Sequence, residues 1–124
     1  MQALVLKNLI KKYEKAQVLN SVGMSINEGE FYALMGPNGS GKTTLVSIIA
    51  SVTPPTHGKV EIYGHSIIKE SEEARRLIGY LPEASFSSPP LSGEENLIYF
   101  AQLWGLSRNE ARSLMGGLVA GITI

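Results

Sequence analysis

The sequence of 124 residues contains no cysteine. Disulfide scaffolds, thiolate zinc sites and thiol redox chemistry are therefore excluded, and the composition is compatible with a reducing compartment. No apolar run approaches the roughly 18 to 20 residues that a membrane-spanning helix needs. The stretch 1–10 carries Lys7 and is followed by no small-residue cleavage site, so we expect no secretory signal.

Neither sign of charge is in excess, because eleven Lys and Arg residues offset eleven acidic residues. No overall field favours nucleic acid or an anionic membrane, and we expect no nucleic-acid partner. All eleven acidic residues are glutamate, so aspartate is missing as well. Any anion site must be built by local geometry, and no step that needs an aspartate can be served by these residues.

The apolar pattern predicts a globular α/β chain, in which 44% of the residues are hydrophobic and 18% are charged. The first two strands should form an antiparallel edge around Tyr13, and the runs at 30–35 and 77–81 should be short buried strands. The predicted strands are residues 3–9, 18–26, 30–35, 60–62 and 77–81.

Side chains that accept hydrogen bonds from free backbone N–H groups mark the expected helix starts. Ser71 is such an acceptor and opens a short helix ahead of two glutamates. Two capping boxes follow, Ser92 with Glu95 and Ser107 with Glu110, in which each side chain satisfies the backbone donor of the other residue.

The C-terminal third of the chain carries weaker signals. Residues 84–90 are rich in Ser and Pro and should form a loop. The segment 116–124 is apolar but shows no amphipathic period. Its three glycines, Gly116, Gly117 and Gly121, should weaken any helix there.

The strongest motif is a glycine followed by four residues, a second glycine, a lysine and a threonine. Glycines let the backbone approach an anion closely, and the helix expected over 45–49 adds free N–H groups. Lys42 places a cation between the β- and γ-phosphates, and the Thr43 hydroxyl can ligate Mg²⁺. We therefore predict binding of ATP with Mg²⁺. The predicted phosphate-binding residues are Gly36, Pro37, Asn38, Gly39, Ser40, Gly41, Lys42, Thr43 and Thr44.

Several segments in the correct order make the sequence resemble an ATP-binding cassette, the nucleotide-binding domain of ABC transporters. The resemblance runs from about Leu4 to Leu106 and includes the Walker A form GPNGSGKTT. The other segments are Lys12-Tyr13 with Val18-Leu19-Asn20, Gly29-Glu30, Pro55-Thr56-His57-Gly58-Lys59-Val60 and Ile78-Gly79-Tyr80-Leu81-Pro82.

The resemblance assigns roles to two further residues. Tyr13 stands where a cassette stacks an aromatic ring on adenine, and the alternative is a surface tyrosine among lysines. Glu83 stands where most cassettes have the Q-loop glutamine. A glutamate at this position resembles an efflux or ABC-2-type branch of the family. A carboxylate there can ligate Mg²⁺, and the alternative is a solvated loop glutamate.

The segment Leu91-Ser92-Gly93-Glu94-Glu95 is similar in its residue letters to the cassette signature L-S-G-G-Q, but it does not fit the function of the signature. The signature presents a helix N-terminus to the γ-phosphate of the partner, and Glu94 would place like charge there. We interpret the segment as an ordinary capped helix start.

The resemblance implies a single, incomplete ABC-type nucleotide-binding domain over residues 1–124. Its fold class is α/β, a partial P-loop NTPase core with an antiparallel β subdomain and the start of a helical subdomain. The expected parts are residues 1–29, 30–83 and 91–124.

The function implied is that of an ATP-binding subunit of an ABC transporter. Its partners would be a transmembrane permease and a second nucleotide-binding domain, and its location would be cytoplasmic, peripheral at the inner face of the membrane. A non-catalytic nucleotide-binding remnant and a non-transport ABC ATPase stay open as alternatives.

A complete cassette is longer, and its second half supplies the signature, a strand ending in a metal-site aspartate, a catalytic glutamate and the switch histidine. The chain has no aspartate to serve the metal. We therefore expect these residues to bind MgATP but to hydrolyse it negligibly. Strands that flank the phosphate loop are also expected to be missing, so that apolar surface is exposed.

Overall fold

A computed structural model describes residues 1–83 and 90–121 of the protein. The chain divides into two compact units, Met1–Tyr80 and Leu81–Ile124. The strands are β1 (Gln2–Tyr13), β2 (Ala16–Asn27), β3 (His57–Ile62) and β4 (His65–Ser66), and the helices are α1 (Lys42–Ile49), α2 (Ser71–Arg76), α3 (Gly93–Leu103) and α4 (Arg108–Ala120). Most of the predicted loop 84–90, and the last three residues, lie outside the described residues.

The first unit is built on a four-stranded antiparallel sheet with the strand order β2-β1-β3-β4. β1 and β2 form a hairpin that turns at Glu14 and Lys15, so that Tyr13 faces Ala16. The predictions for residues 3–9 and 18–26 are confirmed, and each strand extends over 12 residues. The predicted strand at 60–62 is also confirmed, as the end of β3.

The hydrophobic core of this unit joins side chains of the sheet with side chains of α1. In β1, Leu4 and Leu6 are buried at alternate positions, as expected for a strand with one face on a core. Leu9, Ile48 and Val60 are fully buried. The core therefore fixes α1 against the sheet. The cluster comprises Leu4, Leu6, Leu9, Leu19, Leu45, Ile48, Val60, Ile62, Ile67 and Ala74.

A close backbone approach joins β1 to the start of β3. Gly58 has a φ of +98°, and a Cβ atom there would lie 2.4 Å from the carbonyl oxygen of Asn8. Two hydrogen bonds join β1 to the neighbouring residue Thr56. Thr56 N–H donates to the Ile10 carbonyl at 2.9 Å, and Lys12 N–H donates to Thr56 Oγ1 at 2.9 Å. The turn before β3 is thus fastened to β1.

The second unit consists of α3 and α4, each of which begins with a capping box. Glu95 N–H donates to Ser92 Oγ at 3.1 Å, and Ser92 N–H donates to Glu95 Oε2 at 2.7 Å. Ser107 and Glu110 repeat this arrangement at 3.2 and 2.7 Å. Both predicted capping boxes are confirmed, and residues 91–95 form the predicted capped helix start.

In the part of the chain that the structure describes, no helix combines the length and hydropathy needed to cross a bilayer.

Two predicted strands are wrong. Residues 30–35 and 77–81 adopt no strand, and the sheet of the described residues contains only β1 to β4. An extended segment gains ladder hydrogen bonds only beside another strand, and neither run has one here. Their apolar side chains are correspondingly exposed, 97% for Phe31, 88% for Met35 and 94% for Leu81. The exposure expected from missing flanking strands is therefore observed.

One prediction about a helix start also needs correction. The N-cap of α2 is Glu70, not Ser71, and no side-chain hydrogen bond caps this helix. α4 runs through Gly116 and Gly117 to Ala120. Glycine lowers helix propensity by about 1 kcal/mol per residue without excluding a helix, so the predicted weakening stays a prediction.

Candidate nucleotide-phosphate site

The glycine-rich loop turns sharply before α1. Gly39 and Gly41 have φ angles of +82° and +95°, in the left-handed region that residues with a Cβ atom rarely adopt. Ser40 N–H donates to the Pro37 carbonyl at 3.2 Å and closes the turn. The two glycines therefore set the course of the loop into the helix.

Lys42, the first residue of α1, points its side chain back over the loop. Its Nζ atom donates to the carbonyl of Gly36 and, at 3.2 Å, to the carbonyl of Pro37. A Cβ atom at Gly36 would lie 2.8 Å from Ser40 Oγ, so the Ser40 hydroxyl would have to move to admit a side chain there. The only cation of the loop is thus held directly at its backbone.

The N-terminus of α1 is suited to an anion. No acidic residue lies in its first turn, and no side chain of the described residues caps it. The helix ladder starts where Leu45 N–H donates to the Gly41 carbonyl at 2.9 Å. The N–H groups of the first turn and the helix dipole therefore favour negative charge at the loop. The residues present fit a phosphate group.

A bulge in β2 packs against this loop. Lys11 faces Leu19 and Lys12 faces Gln17, which leaves Val18 as the extra residue of β2. A Cβ atom at Gly41 would lie 3.0 Å from the Val18 carbonyl oxygen and 3.1 Å from Leu19 Cδ2. The β1–β2 hairpin and the phosphate loop are therefore in direct contact at Gly41.

Tyr13 lies at the end of this hairpin, with 47% of its surface exposed. It faces Ala16, which is two residues before Val18 in β2. Two residues of strand span about 7 Å, so Ala16, the partner of Tyr13, lies about 7 Å along β2 from the bulge that contacts the loop. The ring has an exposed surface for a base, and the Lys11 ammonium lies 4.9 Å from the ring centroid.

The remaining predicted residues have different positions. Thr43 is exposed and Thr44 half-buried in the first turn of α1. Glu83 is exposed and belongs to the other unit, Leu81–Ile124. No cluster of three or more His and Glu side chains in residues 1–83 and 90–121 could hold a metal by itself. Mg²⁺ commonly takes few protein ligands beside substrate phosphates, and the exposed Thr43 hydroxyl fits that role.

Sequence reasoning missed two contributors, the Val18 bulge and Lys11. A bulge is visible only once the pairing partners are known, since it is defined by two residues opposite one. In the sequence Lys11 is only a neighbour of Tyr13, and its contact with the ring depends on the side-chain conformation.

The family model described as ABC transporter matches residues 19–120, which include the phosphate loop and both helices of the second unit. The chain belongs to the ABC transporter family. The relationship confirms the resemblance drawn from the loop and the segments around it.

Two curated relatives of this ABC transporter chain are ATP-binding proteins named for drug resistance. The Linearmycin resistance ATP-binding protein LnrL of Bacillus subtilis is 34% identical over 86% of this chain. The Doxorubicin resistance ATP-binding protein DrrA of Mycobacterium tuberculosis is 38% identical over 89% of this chain. The chain spans about a third of the length of both relatives, 34% in each case.

Solved structures agree with the family. A structure described as the ATP-binding subunit of an ABC transporter has a TM-score of 0.75 and 34% identity, and the match covers 85% of this chain and 44% of that chain. A dimeric ATP-binding cassette in a post-hydrolysis state, bound to ADP and Pi, has a TM-score of 0.76 and 30% identity, covering 89% and 53%. The predicted fold class, a partial α/β ABC-type core, is confirmed.

Proposed function

We propose that this chain binds the triphosphate of MgATP at residues 36–44 as part of an ABC transporter ATP-binding subunit. The observation that carries the proposal is the loop geometry. Gly39 and Gly41 adopt left-handed conformations, and the Lys42 ammonium lies at the loop carbonyls. The loop leads into an α1 N-terminus that no described side chain caps.

Each part of the loop has a distinct task. The glycines bring backbone N–H groups close to the phosphates, and the first turn of α1 adds its dipole. Lys42 exchanges its bonds to the loop carbonyls for charge-assisted hydrogen bonds to phosphate oxygens. The Thr43 hydroxyl holds Mg²⁺ beside the phosphate oxygens, which would make nucleotide binding dependent on the metal.

Tyr13 is proposed as the platform for adenine. Its ring is half exposed at the tip of the hairpin that contacts the loop at Gly41. An aromatic face packs on a base without demanding a particular hydrogen-bond pattern, so it adds affinity mainly through contact area.

The names of relatives support a role in export. Two are resistance proteins, and the Nod factor export ATP-binding protein I of Burkholderia thailandensis is 33% identical over 88% of this chain. We propose that the protein works with a transmembrane permease and a second nucleotide-binding domain at the cytoplasmic face of the membrane. A non-transport ABC ATPase is the competing function, and the copurifying partner distinguishes the two.

Hydrolysis needs more than a phosphate cradle. The attacking water must be oriented and the metal held at the same time, and these residues contain no aspartate for the metal. We propose that the 124-residue chain binds MgATP without appreciable turnover. Rapid hydrolysis that disappears with Lys42→Ala would contradict this.

The proposal is tested by calorimetric titration of the chain with MgATP. Lys42→Ala should weaken binding at least about tenfold, because charge-assisted hydrogen bonds to phosphate are lost. Lys59→Ala is the matched control, since this exposed lysine lies in β3 opposite Lys7. An affinity unchanged by Lys42→Ala, with the far-UV circular dichroism preserved, would refute the assignment of the loop.

A further inference from the structure

Lys11 makes two contacts in the first unit. Its Nζ atom donates to the Pro54 carbonyl at 2.7 Å and lies 4.9 Å from the centroid of the Tyr13 ring. The two contacts come from different parts of the chain, since Tyr13 ends β1 and Pro54 belongs to the turn before β3. One ammonium group therefore connects the ring to that turn.

The turn that holds Lys11 is itself fixed. Thr56 N–H donates to the Ile10 carbonyl, and Thr56 Oγ1 accepts from Lys12 N–H, both at 2.9 Å. These bonds tie the residues beside Pro54 to the strand that carries Lys11. The Pro54 carbonyl is therefore held in place relative to β1, and its hydrogen bond fixes the position of the Lys11 ammonium.

We propose that Lys11 is a positioning residue for the nucleotide base, acting through Tyr13. Its ammonium covers one face of the ring and leaves the opposite face for a purine. This proposal rests on the proposed function of Tyr13 as the base platform.

Two physical effects support this assignment. A cation over an aromatic face is attracted by the ring quadrupole, so the contact restricts the orientation of an otherwise half-exposed side chain. A ring that is already ordered loses less conformational entropy when the base stacks on it. Lys11 should therefore contribute to binding of the base and not to binding of the phosphates.

A purely structural role for Lys11 gives a different expectation. A lysine that only fastened the turn to β1 would change the stability of the unit, and with it the binding of every ligand in proportion. The two roles are separated by a ligand that has phosphates but no base.

The test compares Mg-ATP with Mg-tripolyphosphate in calorimetric titrations of the chain. Lys11→Met keeps the length of the side chain but removes its charge, and it should weaken ATP binding about two- to fivefold while tripolyphosphate binding is unchanged. Lys11→Arg keeps the cation and should bind ATP like the wild type. In a Tyr13→Ala background, Lys11→Met should have no further effect on ATP binding.

The outcomes separate the two proposals. An equal loss of ATP and tripolyphosphate binding in Lys11→Met, or a loss that persists in the Tyr13→Ala background, overturns the role of Lys11 alone. A Tyr13→Ala variant with wild-type ATP affinity overturns the base platform. Failure of the wild-type chain to bind either ligand overturns the proposed function and the role of Lys11 with it. If Lys11→Met does not fold, wild-type ATP affinity in Lys11→Ala with normal far-UV circular dichroism overturns the role of Lys11.

Discussion

The two units of the chain are held together in different ways. In Met1–Tyr80, a buried cluster joins strands that are far apart in the sequence. In the described residues of Leu81–Ile124, the buried side chains are Ile98 and Ala111, and both helices begin with local capping boxes. The unit with the phosphate loop thus depends on long-range packing, and the helical unit depends on bonds between residues three apart. A substitution that disrupts long-range packing should therefore lower the free energy of unfolding more than one that removes a local capping bond.

The largest effect is expected at the crossing of β1 and β3. Gly58→Ala should lower the free energy of unfolding of the first unit by about 3 kcal/mol or more, since its Cβ atom would lie 2.4 Å from the Asn8 carbonyl oxygen. Urea unfolding followed by circular dichroism measures this change. The matched control is Gly64→Ala.

Gly64 has a similar φ of +82°, but nothing lies within 4 Å of its Cβ position. Its replacement should cost only the backbone strain, about 1 kcal/mol. Equal losses in the two variants would show that conformation, not close packing, makes glycine necessary at Gly58.

A smaller effect is expected from a single cap in the second unit. Ser92→Ala should destabilise α3 by about 1 kcal/mol, because Glu95 N–H loses its acceptor. The exposed Ser113 lies inside α4, and Ser113→Ala should change stability by less than about 0.5 kcal/mol. Protection of α3 amides from hydrogen exchange measures both, and equal protection in the two variants would argue against the cap.

The smallest effect is a pH dependence of the same capping box. The Ser92 backbone N–H, and next the Ser92 side chain, hold the pKa of Glu95 below its ordinary value of 4.5. The folded-state pKa is lowered, so the stabilisation is complete above pH 4.5 and is lost as the pH falls through the folded-state pKa. Helicity measured by circular dichroism should therefore decrease in this acidic range.

Glu95→Gln should remove this part of the acid transition, whereas Glu94→Gln, which lies outside the box, should retain it. The second capping box should lose stability over the same acidic range, because the Ser107 backbone N–H lowers the pKa of Glu110. A transition that is the same in Glu95→Gln and in the wild type would exclude the capping box as its origin.

Local predictions from the sequence were mostly confirmed. The two capping boxes, the hairpin strands and the helix after the phosphate loop are present. Each depends on residues close together in the chain or on a clear alternation of apolar residues. The buried strands predicted at 30–35 and 77–81 were wrong, since an apolar run specifies a strand only when a neighbouring strand accepts its hydrogen bonds.

The candidate site also combines features that the sequence predicted with features that only the structure shows. The order of Gly36, Gly41 and Lys42 alone predicted the loop, and the structure adds the left-handed glycines and the ammonium at the loop carbonyls. Tyr13 and Glu83 as ligands of base and metal stay predictions. Family membership came from the loop together with the segments that surround it.

The sequence by itself predicted the anion-binding loop and determined the two capping boxes, because glycine conformation, helix dipoles and capping bonds act within a few residues. Only the tertiary structure decided that the Val18 bulge packs on Gly41 and that Lys11 reaches both Pro54 and Tyr13. These contacts join segments separated by more than twenty residues, except for Lys11 with Tyr13. Their geometry depends on strand register and side-chain packing, which no short stretch of sequence specifies.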